Sequence, residues 1–179
     1  MNKYVIDSVT GETYSLEHLK SLPMTYTIKP GGNPVDVELY LHFSNHCYTK
    51  SRKSHHTDEE VLFRETKKNG TIDERVFCKE RWEFSKLLPE IFRELHAKPC
   101  FIGNEKTMFY RQENKPFVGS HEGWYICARF GVSNKHENLV ITVRSVHYRT
   151  NRPESIRGES KRFYVWLMRF YQDTKRDWL

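Results

Sequence analysis

The sequence predicts a single α+β domain over residues 1–179, with a mostly antiparallel sheet, one central amphipathic helix and a C-terminal helix. Residues 35–43 and 138–149 alternate apolar and polar side chains, which is the period of a half-buried strand. Residues 81–98 instead place their apolar side chains at helical spacing. The length of 179 residues suits one domain, and no internal repeat or obvious linker divides it.

The N-terminal part of the chain predicts an arm followed by a hairpin. Residues 1–22 are interpreted as a peripheral N-terminal arm with a short helical turn in SLEHLKSL. MTYTIK (24–29) is rich in β-branched and aromatic residues, and PGGNP (30–34) has the residues of a turn. We therefore expect VDVELYLHF (35–43) to pair back on the first strand, with its charged side chains outward.

The middle of the chain predicts a loop and then the central helix. Residues 44–74 are polar and are expected to be mostly loop, with K-N-G at 68–70 as a hairpin turn before a strand at 75–78. Pro89 cannot lie undisturbed inside a helix. Two outcomes remain open: the helix bends at Pro89, or a helix begins near Leu88.

The second half predicts further strands and a terminal helix. Short strands are expected in CFIG (100–103), TMFYRQ (107–112) and PFVG (116–119), and the strongest strand signals are GWYICARFGV (123–132) and NLVITVRSVHYR (138–149). Alternation predicts that one face of this last pair packs on the helix, through Trp124, Ile126, Ala128, Phe130, Leu139, Ile141 and Val143. The open face would then carry Tyr125, Cys127, Arg129, Thr142, Arg144 and Tyr148. The basic, aromatic C-terminal segment, residues 150–179, is expected to end in a helix, with a strand as the alternative.

The charge of the chain indicates a polyanionic partner. The net charge is +6, and the segment from Arg144 to Arg169 contains seven Lys and Arg but only two acidic residues. Clustered cations gain from counterion release on nucleic acid, so we expect a nucleic-acid partner, with RNA favoured.

No apolar run approaches the roughly 18 residues of a membrane span, and the N-terminus lacks a signal-peptide pattern. The expected location is cytoplasmic, with four free thiols because no cysteines form a C-x-x-C pair.

The stretch LHFSNHCYTKSRKSHH (41–56) raises the question of metal binding. Zinc sites use paired ligands that recur downstream, and no second pair follows here. His42 and His46, if both lie on a strand, are about 13 Å apart. Adjacent strand residues point to opposite faces, which also disfavours a catalytic pair of His46 and Cys47. We expect no metal and no cofactor, and we interpret Cys47 as a small buried residue.

The two late paired strands, with their Arg- and Tyr-rich open face, give the candidate catalytic residues. Metal-free RNA cleavage needs a base for the 2'-hydroxyl, an acid for the leaving 5'-oxygen and cations for the phosphorane charge. The sequence assigns these roles to Arg129, Arg144, His147 and Tyr148. It assigns nucleic-acid binding to His46, Arg81, Arg149, Arg152, Arg157, Lys161 and Arg162. The same face could bind phosphates without chemistry. No Gly-rich phosphate loop, G-x-S-x-G or H-E-x-x-H motif is present.

Three segments carry a resemblance to other proteins. HFSNHCYT (42–49), RVFCKERWEFSKLLPEIFREL (75–95) and VRSVHYR (143–149) resemble the motifs of a group of uncharacterised bacterial and phage proteins, over roughly residues 36–150. Here Val146-His147 replaces the small residue that the group has before Tyr148. The expected architecture is also similar to that of the barnase, colicin and RelE-like metal-independent ribonucleases.

These observations lead to two hypotheses about function. The first is a small phage- or mobile-element-encoded protein that acts on RNA as a metal-independent endoribonuclease. The second is a non-catalytic protein that binds nucleic acid, or that inhibits a host defence by binding a host protein or ribonucleoprotein complex. For a phage protein, the location would be the host cytoplasm.

Overall fold

The computed structural model describes residues 3–103, 107–112, 121–133, 138–151, 156 and 160–177. It has a mixed α/β architecture in which strands predominate. The strands are β1 (Tyr4–Ile6), β2 (Thr13–Ser15), β3 (Leu22–Ile28), β4 (Val35–Phe43), β5 (Thr49–Ser51), β6 (Val61–Thr66), β7 (Ile72–Phe77), β8 (Pro99–Ile102), β9 (Thr107–Gln112), β10 (Gly123–Val132), β11 (Leu139–Arg149) and β12 (Ser160–Arg162). The α-helices are α1 (Lys79–Ser85), α2 (Leu88–Glu94) and α3 (Phe163–Asp177), and short 3-10 turns occur at Glu17–Leu19, Pro30–Gly32, Asn45–Cys47 and Leu95–Ala97.

Seven strands form the central sheet, in the order β12-β8-β9-β10-β11-β4-β3. The pairing is antiparallel except between β11 and β4, which run parallel. The sheet is therefore mixed and not purely antiparallel, although five of its six strand pairings are antiparallel, as the prediction of a mostly antiparallel sheet requires. The parallel pair arises because the chain leaves β4 and passes through a second sheet, two helices and three further strands before it returns as β11, and parallel pairs require such long connections.

The two longest predicted strand pairs are confirmed. β4 spans residues 35–43 as predicted, pairs antiparallel with β3, and buries every second side chain. β10 spans residues 123–132, and β11 begins one residue later than predicted, at Leu139. The predicted strand at 116–119 lies outside the described residues.

Most of residues 44–74 lie outside helices and strands, as predicted, but the prediction missed two strands in this region. This region contributes β5 and β6, which flank β7 in a three-stranded antiparallel sheet. Its strands were not recognised because their side chains are mostly polar and are paired with one another. Arg64 and Glu74, for example, are cross-strand partners joined at 2.9 Å. The hairpin turn predicted at 68–70 is confirmed, with Gly70 at a φ of 81°.

Two short helices replace the single predicted central helix. α1 ends at Ser85 and α2 begins at Leu88, so that Pro89 lies in the first turn of α2, where its missing N–H costs no hydrogen bond. This is the second of the two outcomes left open by the sequence. Leu88, Phe92 and Leu95 are fully buried, as the apolar residues at helical spacing predict, but Leu87 is 53% exposed.

The core lies between the central sheet and a layer formed by α2 and α3. Phe163, at the start of α3, packs on Tyr26 of β3 with a ring separation of 5.0 Å. The helix predicted near the end of the C-terminal segment is confirmed as α3. Within the N-terminal arm, β1 and β2 form a hairpin, and Leu16 and Leu19 are buried in the same core. Within the part of the chain that the structure describes, no helix is both long and apolar enough to cross a bilayer.

A β-bulge in β11 changes which side chains share a face. Ala128 pairs with Val143 but Cys127 pairs with Ser145, so Arg144 is the extra residue. Beyond the bulge, His147 pairs with Tyr125 and Tyr148 pairs with Trp124. Cross-strand partners lie on the same face, so Tyr148 lies on the face of Trp124. The predicted placement of Tyr148 beside Arg144 is therefore wrong, because the sequence pattern assumed an unbroken alternation.

Candidate functional site

The three segments that carry the sequence resemblance meet at one place. β4 pairs with β11 only as far as Val143, and beyond that point the 3-10 turn at Asn45–Cys47 and helix α1 lie against the end of β11. HFSNHCYT supplies His46, RVFCKERW supplies Arg81, and VRSVHYR supplies His147. We call these three side chains the His-Arg-His cluster.

Arg81 contacts the imidazole of His147 and the backbone of His46. Its Nη2 donates to Nδ1 of His147 at 2.8 Å, and its Nη1 donates to the backbone oxygens of Thr49 at 2.6 Å and His46 at 3.4 Å. A guanidinium can only donate, so Nδ1 of His147 is the acceptor and the ring proton of neutral His147 is on Nε2. The guanidinium is thus held by β5 through Thr49 and, more weakly, by the turn that carries His46.

His46 is oriented by a carboxylate. Its Nε2 lies 2.8 Å from Oε2 of Glu65, and Asn45 donates to the other carboxylate oxygen at 2.5 Å. The carboxylate accepts, so Nε2 of His46 carries a proton, and Nδ1 is the nitrogen that can bind another. The side chains of His46 and Glu65 are 30% and 35% exposed, which leaves the pair accessible to a ligand.

Both histidines are neutral near pH 7. Burial lowers the pKa of His147 to about 4, and the charges of Arg81 and Arg149 act in the same direction. Burial also lowers the pKa of His46, and the bond to Glu65, which raises that pKa, offsets only part of the effect. The cluster therefore holds two neutral imidazoles beside a fixed positive charge.

A buried ion pair between Arg75 and Asp73 is connected to the cluster through Thr49. Arg75 of β7 is only 3% exposed, and its guanidinium donates to Asp73 at 2.9 Å. It also donates to the hydroxyl and the backbone oxygen of Thr49, at 2.8 and 2.9 Å. Because Thr49 also accepts from Arg81, the buried pair helps to hold the guanidinium of the cluster in place.

Two other possible nucleophiles, Cys47 beside His46 and Ser85 beside His18, are not set up for catalysis. Cys47 is fully buried, and burial raises the pKa of its thiol to about 12. Its location confirms the prediction of a small buried residue. Ser85 lies 2.7 Å from Nε2 of His18, but its hydroxyl donates to the backbone oxygen of Trp82. The hydroxyl has one proton, so His18 must donate to Ser85 and cannot act as its base.

Comparison with known proteins places the chain in a family. A family model described as the YjaZ family matches residues 4–171. The chain belongs to the YjaZ family. No curated protein matches it, and no solved structure does.

In this YjaZ-family chain the sequence-predicted catalytic residues lie at three places. Arg129 and Arg144 are on adjacent strands and both are exposed, and Arg129 pairs with Thr142, two residues from the bulge. His147 lies further along β11, in contact with Arg81. Tyr148 is on the other face, where it donates to Glu122 and contacts the ring of Trp124 edge-on.

The predicted nucleic-acid-binding residues are also divided. His46, Arg81 and Arg149 lie at or beside the cluster. Lys161 and Arg162 are on β12, four strands from β11, which corresponds to about 19 Å across the sheet. Arg152 and Arg157 lie outside the described residues.

Sequence reasoning missed Glu65, Arg75 and Asp73. Glu65 lies in the region interpreted as loop, and nothing in its local sequence points to His46. The R-V-F-C motif contains Arg75 and was noted only as part of the resemblance. Among the described residues, no group of three His, Cys, Asp or Glu side chains is close enough to hold a metal ion.

Proposed function

We propose that this protein is a metal-independent endoribonuclease that cleaves RNA at the His-Arg-His cluster. The observation that supports this proposal is the pairing of Glu65 with Nε2 of His46, beside a guanidinium fixed on the second histidine. A carboxylate that orients an imidazole in one tautomer leaves the other ring nitrogen available as a general base. The adjacent guanidinium of Arg81 supplies the positive charge that stabilises the negative charge of a phosphate substrate.

In the proposed reaction, His46 activates the ribose hydroxyl. Nδ1 of His46 takes the proton of the 2'-hydroxyl, and the 2'-oxygen forms a bond to the adjacent phosphorus. Glu65 stabilises the resulting imidazolium through the bond at Nε2. His46 is neutral before the reaction because of its lowered pKa, so it is ready to accept the proton.

The other two members of the cluster stabilise the phosphorane. The N–H at Nε2 of His147 donates to a phosphate oxygen as a neutral donor, and Arg81 supplies the positive charge. The bond from phosphorus to the 5'-oxygen then breaks, and the leaving oxygen takes a proton from water. The products are a 2',3'-cyclic phosphate and a 5'-hydroxyl. His46 returns its proton to solvent.

The exposed arginines would hold the RNA chain. Arg129, Arg144 and Arg149 are solvent-exposed on β10 and β11, within the same part of the sheet as the cluster. Phosphate contacts of this kind position a nucleic acid without reading its sequence. We therefore expect little base specificity from this surface.

The experiment that tests the proposal combines cleavage and binding. Purified protein is incubated with total RNA in EDTA, and retardation of a labelled RNA oligonucleotide is measured in parallel. We expect cleavage in EDTA. If the RNA stays intact while the oligonucleotide is retarded, the nuclease proposal fails and a non-catalytic binder remains. If neither occurs, a protein partner becomes the leading hypothesis.

One observation favours the non-catalytic alternative. The guanidinium of Arg81 already donates to two backbone oxygens and to His147, which is also what a purely structural arginine would do. In that case the exposed arginines would bind nucleic acid or a host ribonucleoprotein complex in the cytoplasm. Binding that weakens steeply between low and moderate salt would support a nucleic-acid partner.

The pH dependence of cleavage follows from the state of His46. The base must be neutral, and its pKa is lowered from the usual histidine value of about 6.5. As the pH is raised from acid, kcat/KM should therefore rise tenfold per pH unit and reach its plateau before about pH 6.5. The measurement is kcat/KM for a labelled oligonucleotide between pH 4.5 and pH 8. An activity that still rises above pH 7 would be inconsistent with His46 as the base.

A further inference from the structure

A cavity lies between helix α3 and the sheet, away from the His-Arg-His cluster. Its volume is about 360 Å³, and it is lined by Ile102, Thr107, Phe130, Trp166, Arg169, Phe170 and Asp173. This volume falls in the range of about 300–1,000 Å³ that is typical of small-molecule sites. Four of the seven described lining residues are aromatic or aliphatic, and the other three are Thr107, Arg169 and Asp173.

The aromatic walls of the cavity are held rigidly. The indole N–H of Trp166 donates to the backbone oxygen of Cys100 at 3.2 Å. Phe130 stacks on Phe170 with a ring separation of 5.2 Å, and it also stacks on Phe163. Phe130, Trp166 and Phe170 are each less than 10% exposed. The cavity therefore exists before a ligand binds, which reduces the ordering cost of binding.

Positive charge lies beside the aromatic wall. The guanidinium of Arg169 is 5.3 Å from the ring centre of Trp166, and the ammonium of Lys161 is 5.7 Å from the same ring. Both lie within the distance at which a cation is attracted to an indole face. Arg169 is exposed and lines the cavity, as does the acidic Asp173, so a bound anion would lie on the Arg169 side of the cavity.

The cavity is separate from the proposed cleavage site. Phe130 is five residues along β10 from Tyr125, the cross-strand partner of His147, which corresponds to about 16 Å. Phe130 also faces the helices, whereas Tyr125 is on the opposite face. A ligand in the cavity would thus not touch the His-Arg-His cluster.

We propose that this cavity binds a small planar aromatic anion, with its ring against Trp166 and Phe130 and its negative group at Arg169. The ring gains from the buried aromatic walls, and the anion gains from the guanidinium of Arg169. A nucleoside monophosphate and an aromatic carboxylate share this chemistry. The proposal does not depend on the ribonuclease activity.

Isothermal titration calorimetry on the full-length protein tests the proposal with two probes, AMP and indole-3-acetate. We expect at least one to bind with a Kd of about 10–100 µM, which is ordinary for ligands of this size. Ile102 pairs with Met108, a core residue, and so faces the helices. An Ile102→Trp substitution should therefore fill the cavity and abolish binding.

A second pair of variants tests the role of the Arg169 charge without changing the packing of the cavity wall. Arg169→Gln should weaken binding about five- to tenfold, the effect of removing one charged hydrogen bond at an accessible site. The control, Arg162→Gln, removes an exposed cation of β12 that does not line the cavity, and it should leave Kd unchanged. Preference for AMP or for indole-3-acetate identifies the source of the anion.

Two results would overturn the proposal. One is that neither probe binds to the wild-type protein at millimolar concentration. The other is that binding is the same in Arg169→Gln and in folded Ile102→Trp as in the wild type. Thermal unfolding of each variant establishes that the protein remains folded.

Discussion

Replacing His46 with Gln should reduce RNA cleavage about 100-fold or more, which is the usual contribution of a general base. Glutamine is close in size to histidine but cannot take the proton of the 2'-hydroxyl. His46 is partly exposed, so the substitution should not unfold the protein. The measurement is the single-turnover cleavage rate of a labelled oligonucleotide, with thermal unfolding as the test of folding.

A matched variant separates this effect from a general loss of histidine. His55→Gln changes an exposed histidine whose described ring contact is with His56, and it should retain full activity. Glu65→Gln should reduce the rate less than His46→Gln, because it disturbs the tautomer of the base but leaves the base present. Equal rates for His46→Gln and the wild type would remove His46 from the mechanism.

Replacing Arg75 with Met should lower the free energy of unfolding by about 3 kcal/mol or more, as expected when one partner of a buried ion pair is removed. The substitution leaves the carboxylate of Asp73 without its buried partner, and it leaves two oxygens of Thr49 without the donor they share. The measurement is urea unfolding at pH 7. Arg81 should also lose alignment, because Thr49 is its acceptor as well.

The control for this prediction is Arg64→Met, on the neighbouring strand. Arg64 is exposed and pairs with Glu74, so its loss should cost less than about 1 kcal/mol. Equal losses in the two variants would contradict the structural role given to Arg75.

Acidification gives a second test of the same ion pair. Burial raises the pKa of Asp73, but hydrogen bonds from Ser51 and Arg75 outweigh it, and the net pKa is lowered. A lowered pKa stabilises the fold above the unfolded-state value, and this stabilisation is lost as the pH falls through the folded-state pKa. The difference in stability between the wild type and Arg75→Met should therefore narrow below about pH 4.

Much of the fold could be predicted because its main strands follow simple periodicity. β4, β10 and β11 alternate apolar and polar residues, and Pro89 marked the start of α2. β5 and β6 could not be predicted in this way, because their polar side chains are satisfied by partners on other strands. The parallel pairing of β4 and β11 depends on contacts about 100 residues apart, which local patterns do not contain.

The candidate site was predicted in part, and the reason lies in the bulge of β11. His147 and the basic residues around it were selected from the sequence, but one extra residue at Arg144 inverts the faces beyond it. Alternation alone therefore placed Tyr148 on the wrong face. The contact of Arg81 with His147 joins residues 66 positions apart, and that of His46 with Glu65 required β6 to be recognised as a strand.

Analysis of the product ends tests the central claim most directly. A labelled RNA oligonucleotide is cleaved in EDTA beside an identical one with a single 2'-deoxyribose at the main cleavage position. The mechanism predicts a 2',3'-cyclic phosphate and a 5'-hydroxyl from the first substrate, and no cleavage at the substituted position in the second, because the nucleophile is the 2'-oxygen. Cleavage at the deoxy position, or cleavage only when a divalent metal ion is added, would contradict it.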